Sequence, residues 1–148
     1  MVYVTYLLVL STISSADGIG FAIPINVVKG VIESFKNTGK FEQPTLGIYV
    51  YDKDVIPYLD NNIITFTKGI YVAQINKNGP AYNTELKEGD IINTVDNKEI
   101  NTMNDLREYV YTKNVGDVVE LNITRGKVNK VIKVVLRKKV KYTLHNNI

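Results

Sequence analysis

The hydrophobic pattern changes period twice along this chain. Residues 2–13 are largely apolar, and after the small residues Ser14, Ser15 and Ala16 a second apolar run, Gly18-Ile-Gly-Phe-Ala-Ile-Pro-Ile-Asn26, reads as a strand. Val27, Val28, Val31, Ile32 and Phe35 then recur at helical spacing. Asn26 fits the N-cap of that helix and Gly39 its stop, so the pattern predicts an amphipathic spacer. Beyond Pro44 come short alternating runs divided by turn residues, the mark of strands. They predict strands over 45–51, 69–75, 91–95 and 98–100, with a polar connection at 52–62, a turn at 78–81 and a helical turn over 81–86. Thr102 and Asp105 have capping-box spacing, opening a helix to about Thr112. Residues 118–124 and 131–136 alternate as a hairpin around Arg125-Gly126-Lys127.

Composition narrows the class. The 148 residues, 45% hydrophobic and 22% charged, suffice for one domain with a proper core and a few added elements. With no cysteine, disulfides and thiolate metal sites are excluded, and the redox compartment stays open. The apolar 2–13 stretch has no Lys or Arg before it, as a signal peptide would, and is too short to span a membrane; it reads better as a strand. Residues 1–60 carry four lysines against six carboxylates, a net −2, whereas 61–148 carry +5. Most of that excess is the run Arg137, Lys138, Lys139, Lys141, which reads as a solvated strand end. As a solvated strand end it is not expected to contact a membrane surface, and with no aromatic-rich signature beside it nucleic acid is not an expected partner.

The residues of hydrolytic chemistry are not assembled in the sequence. Ser11, Ser14, Ser15 and Ser34 lie in no glycine-flanked turn, and the single histidine, His145, falls in the final tail. A serine nucleophile needs a base within reach and an oxyanion hole, so no catalytic residue is assigned. The pairs Asp52/Asp54 and Glu85/Glu88 read as surface charge. Neither metal-ligand spacing nor a phosphate loop appears, and no metal or cofactor is expected.

Residues 45–136 resemble a PDZ domain of the HtrA/Deg (high-temperature-requirement) type. The resemblance is carried by Gly69-Ile-Tyr-Val, Asn78-Gly79-Pro80-Ala81, Leu86-Lys-Glu-Gly-Asp-Ile-Ile92, Asp105-Leu106, Gly116-Asp117 and Ile123-Thr-Arg125. The 18–26 run is similar to the last barrel strand of the trypsin-like domain in those serine endoproteases. The resemblance implies a mostly β chain with two or three helices (α+β). It would be a PDZ-like partly open barrel or sandwich, preceded by a remnant barrel strand and linker helix. The segments would be 1–26 for the truncated end of the protease domain, 27–44 for the linker, 45–138 for the PDZ domain and 139–148 for a basic tail. The Gly-Asn-Ser-Gly-Gly nucleophile motif of that family does not occur in the sequence. Peptide binding without cleavage is therefore expected. The alternative is a fragment of an active endopeptidase in protein quality control, completed by a separate catalytic part. The family works at the bacterial cell envelope, in the periplasm or on the outer face, but no export signal in the sequence fixes localisation.

A PDZ module adds an extended peptide to an open strand edge beside a helix and captures its C-terminal carboxylate in a loop of backbone N–H groups. Gly18-Ile-Gly-Phe21 has the look of that loop, but about fifty residues and a helix separate it from Gly69-Ile-Tyr-Val. Leu46-Gly47-Ile48 stands about twenty residues ahead of that strand and is the better candidate. Gly47 lets adjacent amides converge. A bulky charged residue there is expected to abolish binding with the fold intact. Ile48, Tyr49 and Val50 would pair with the peptide, Met103, Arg107 and Val110 would face it from the helix, and Leu46, Ile48 and Val110 would line an apolar pocket. Leu106 and Tyr109 would face the core. The expected partners are peptides or unfolded proteins with apolar C-termini, and Ile148 in a neighbour's groove would make a homo-oligomer.

Overall fold

Each apolar run of the sequence buries one face, and the elements follow from that. The computed structural model describes residues 7–12, 20–58 and 66–140. Ser14, Ser15, Ala16, Gly18, part of the 52–62 connection, His145 and Ile148 lie outside the described residues. The first described elements are β1 (Leu7–Thr12) and β2 (Gly20–Pro24), which pair antiparallel. Helix α1 (Ile25–Thr38) follows without a break, so Asn26 sits inside its first turn rather than capping it. After α1 come β3 (Pro44–Thr45), β4 (Ile48–Tyr51), β5 (Ile70–Ile75), β6 (Ile91–Val95) and β7 (Lys98–Glu99). Helix α2 (Met103–Tyr111) precedes β8 (Val118–Arg125), β9 (Val128–Val135) and β10 (Arg137–Lys138).

The main sheet is antiparallel, in the order β4-β5-β6-β8-β9, with β7 paired to β6. It is mostly β with two α-helices, and the sheet stays open rather than closing into a barrel, leaving β4 and β9 as its edges. Ile70, Val72, Ile92, Val95, Val119, Leu121, Ile123 and Val134 alternate onto one face and are fully buried. Leu46, Ala81, Leu86, Leu106 and Val110 pack over them. Burying a side chain of this size is worth about 1.5–3 kcal/mol, which makes this cluster the source of most of the stability.

Three local expectations change. The strand expected over 45–51 is two strands on different sheets: β3 pairs with β10, β4 with β5, and Gly47 turns the chain between them at φ +71°. The β8–β9 hairpin closes on Gly126-Lys127 alone, so β9 begins at Val128, and Gly126 supplies the positive φ of a tight turn. The helical turn expected over 81–86 is a 3₁₀ turn at Pro80–Asn83.

Nor is α1 a free spacer. Gly30 lies so close to α2 that a Cβ there would stand 2.6 Å from the Tyr111 carbonyl oxygen. Only part of its apolar stripe is covered, since Val28 and Val31 are half-buried while Ile32 and Phe35 are exposed.

Candidate functional site

The open edge of β4 faces α2 across a groove of about 260 Å³. All eight residues expected from the sequence line it: Leu46, Gly47, Ile48, Tyr49 and Val50 from the loop and β4, and Met103, Arg107 and Val110 from α2. Leu106, expected only in the core, reaches both the core and the groove floor. Gln43, Tyr111 and Lys139 also line it, and the sequence reading missed them. Tyr111 was within reach of that reading, standing one turn beyond Arg107. Gly20 and Phe21 of the competing glycine run lie on β2, paired with β1.

Backbone polarity at the edge follows from its ladder. The Gly47 carbonyl accepts from the Asn76 N–H at 2.9 Å, and the Ile75 N–H goes to Glu88 Oε1 at 3.2 Å. Alternation along an antiparallel strand then turns the N–H and C=O of Ile48 toward the groove. One residue earlier, the Leu46 N–H has no hydrogen bond among the described residues. The N–H of Gly47 donates to Thr45 Oγ1 at 3.0 Å. Two amides are thus open at the closed end of the groove, and the third is held by a hydroxyl.

The loop is braced from behind by the turn at residues 78–81. Ala81 N–H donates to the Leu46 carbonyl at 3.1 Å, and Gly47 crosses Gly79 so closely that a Cβ on Gly47 would lie 2.6 Å from the Gly79 Cα. The two motifs, far apart in sequence, form one joint. A bulky residue at position 47 would therefore disturb the loop itself, which corrects the expectation that the fold would be untouched.

The groove is clamped at both ends. At one end Asp52 Oδ1 accepts from the Met103 N–H at 2.5 Å, tying the end of β4 to the first turn of α2. Asp52 read as ordinary surface charge in the sequence, and its partner lies 51 residues away. At the other end Gln43 Nε2 donates to the Tyr111 hydroxyl. The helix between them is set by the expected capping box: Asp105 N–H donates to Thr102 Oγ1 at 3.1 Å and Thr102 N–H to Asp105 Oδ2 at 2.9 Å. Arg107 lies along the exposed rim, with Nη2 3.8 Å from the Met103 sulfur.

The back of α2 is anchored by Asp96. With Asn97 it makes the β6–β7 turn, both residues at positive φ. Its carboxylate accepts from Glu120 N–H at 2.7 Å and Tyr109 Oη at 2.9 Å, and pairs with Lys113 Nζ at 3.2 Å. Burial alone would raise its pKa, but these bonds outweigh that and hold it below its ordinary value. Tyr109, expected in the core, spends its hydroxyl here. Elsewhere the buried Asp90 accepts from the Lys87 N–H at 2.8 Å and takes both Nε (2.7 Å) and Nη2 (2.8 Å) of Arg125.

An open edge strand beside a capped helix, ending in amides without partners among the described residues behind a positive-φ glycine, has the geometry to which an extended chain can add as a further strand. Residues 42–136 match the family profile described as PDZ domain. The chain belongs to the PDZ domain family. It is 36% identical over 117 residues to the serine protease Do-like HtrA of Bacillus subtilis (strain 168), covering 74% of this chain and 26% of that protein. The chain thus spans about a quarter of the length of that curated relative. A solved HtrA-type protease, AlgW with a decapeptide, superposes at TM-score 0.67 with 23% identity, over 91% of this chain and 42% of that one. The HtrA3 PDZ domain bound to a phage-derived ligand gives TM-score 0.53 at 21% identity, over 64% of this chain and 85% of that one. At those identities the two structures establish likeness of fold.

Among the described residues no cluster of His, Asp and Glu could hold a metal, and no helix is long and apolar enough to cross a membrane.

Proposed function

We propose that this chain binds extended peptides with apolar C-termini, adding them to β4 and taking the terminal carboxylate at residues 45–48. The observation that carries the reading is the open β4 edge, which ends in the unbonded Leu46 N–H and the groove-facing Ile48. Leu46, Gly47, Ile48, Tyr49, Val50, Met103, Arg107 and Val110 are the contact residues of this reading, and unfolded proteins exposing such ends are its natural partners. Residues 1–26 correspond to the end of a trypsin-like domain, 27–44 to a linker helix and 45–138 to the binding module.

The test is an amide chemical-shift titration with an apolar C-terminal pentapeptide. Shifts concentrated at residues 46–50 and along α2 are expected. Shifts along β9, the other open edge, or no shifts at all, would overturn the reading.

Similarity to a serine protease over a quarter of its length favours a second reading, in which the module serves proteolysis by presenting substrates to a catalytic domain. Casein incubated with the chain alone is expected to remain intact. Cleavage that a serine-directed inhibitor stops would replace the binding-only reading with an enzymatic one.

A further inference from the structure

Strand β9 is the second open edge of the main sheet, and it lacks most of the devices that blunt one. It runs unbroken over Val128–Val135 with no proline. Its register against β8 has no shift, whereas the β4–β5 and β6–β8 pairings are both interrupted. Natural edge strands are more often short or bulged, because a long regular edge is a template for another strand. The direction of its free groups follows from the ladder. Leu136, just past β9, turns both backbone groups toward β8: its N–H donates to the Asp117 carbonyl at 2.8 Å, and its carbonyl accepts from the Gly116 N–H at 2.9 Å. Alternation then sends the even-numbered residues of β9 toward β8. It leaves the N–H and C=O of Asn129, Val131, Lys133 and Val135 facing outward. The side chains of those four residues are exposed, and Val118 of β8, opposite Val135, is exposed beside them.

We propose that β9 is a self-association surface, on which a second copy of this chain pairs antiparallel and extends the sheet across a two-fold axis. The strand is complementary to itself. With Val131 on the axis, Val131 lies opposite its own counterpart and Lys133 opposite Asn129, and the outward N–H and C=O groups of all three bond reciprocally. No lysine then lies directly opposite another, as it would with Lys130 or Lys133 on the axis. Both lysines also have a carboxylate of their own chain at hand: Lys133 Nζ stands 4.0 Å from Glu120 and Lys130 Nζ 4.0 Å from Glu85. Since β4 is the opposite edge of the sheet, pairing through β9 leaves both grooves open and gives an assembly that carries two of them. The pairing does not depend on what the groove binds.

The test is sedimentation equilibrium of the 148-residue chain, with amide hydrogen exchange on the same samples. Weight-average mass is expected to rise from one chain toward two between about 10 µM and 1 mM, the range of a small interface. Exchange at Asn129, Val131 and Lys133 should slow in step. Val131→Pro removes an outward donor without taking a bond from the β8 ladder, and Val131→Lys sets like charges on the axis. Each should weaken association about tenfold or more. Position 131 is exposed, so thermal midpoints of the dilute variants are expected to stay close to wild type. Val118→Lys alters the same exposed face away from the edge and should leave association unchanged. A chain that stays monomeric at about 1 mM, or slowed exchange at Ile48 instead of β9, would overturn the proposal. So would a Val118→Lys variant as impaired as Val131→Lys, because faces rather than edges would then be in contact.

Discussion

Gly47 meets two demands that Gly126 does not. Both have positive φ, but a Cβ at 47 would strike the Gly79 backbone, whereas at 126 it would meet open space. Gly126→Ala should therefore cost only the left-handed strain, about 1 kcal/mol. Gly47→Ala adds a backbone clash, for a loss of roughly 2–3 kcal/mol, and it should weaken peptide binding as well. Urea unfolding and peptide titration of the two variants check this; equal stabilities would contradict it. Asp96 gives the molecule an acid-sensitive point. Its pKa is lowered on folding, so its contribution is complete above its ordinary value of 3.8 and is lost as pH falls through the folded value. Asp105 shifts the same way, with burial opposing and the Asn101 and Thr102 amides prevailing. Asp96→Asn, in a residue type that tolerates positive φ, should lower stability at pH 7 and flatten the loss below about pH 4. An unchanged acid limb would show that Asp96 does not contribute. At this scale the sequence left Asp96-Asn97 between two expected strands but did not display the partners of the carboxylate, because Tyr109 and Glu120 reach it only through the fold.

Helix α2 is legible as an element, since its cap, its period and its stop lie within a dozen residues. Its distance from β4 is not legible, because long-range bonds set it. Asp52→Ala removes the acceptor for the Met103 N–H, so the groove loses its tie at one end. Peptide affinity should fall about three- to tenfold while the helix persists, given a charge-assisted cap worth about 1 kcal/mol. Titration together with circular dichroism separates the two effects, and loss of helix without loss of affinity would contradict the clamp. Docking of α1 has a similar test. Gly30→Ala gains up to about 1 kcal/mol in helix propensity but puts a methyl into the Tyr111 carbonyl, which costs about 1–3 kcal/mol. Net destabilisation is expected, with faster amide exchange along α1. A more stable variant would mean that the contact yields easily.

Across the whole molecule, ligand and stability are linked. A peptide that binds only the folded chain should stabilise it by about 2.7 kcal/mol at one hundred times its Kd, raising the unfolding midpoint in step with concentration. A midpoint that stays fixed under saturating peptide would show that the peptide also binds unfolded chains. The midpoint reads the core of β5, β6, β8 and β9 as well as the groove, since Leu106 and Val110 belong to both.

The sequence by itself determined most strands of the main sheet, the capped helix α2 and the turn glycines, because each depends on residues a few positions apart. It also named eight of the residues that line the groove, since loop, strand and helix each carried a local pattern. Only the tertiary structure decided that residues 45–51 split between two sheets. It alone crossed Gly47 over Gly79, made Asp52 a clamp, docked α1 at Gly30 and brought Lys139 into the lining of the groove. Those outcomes depend on contacts between residues tens of positions apart. Chain periodicity records which face of an element is buried, and it leaves open what that face is buried against.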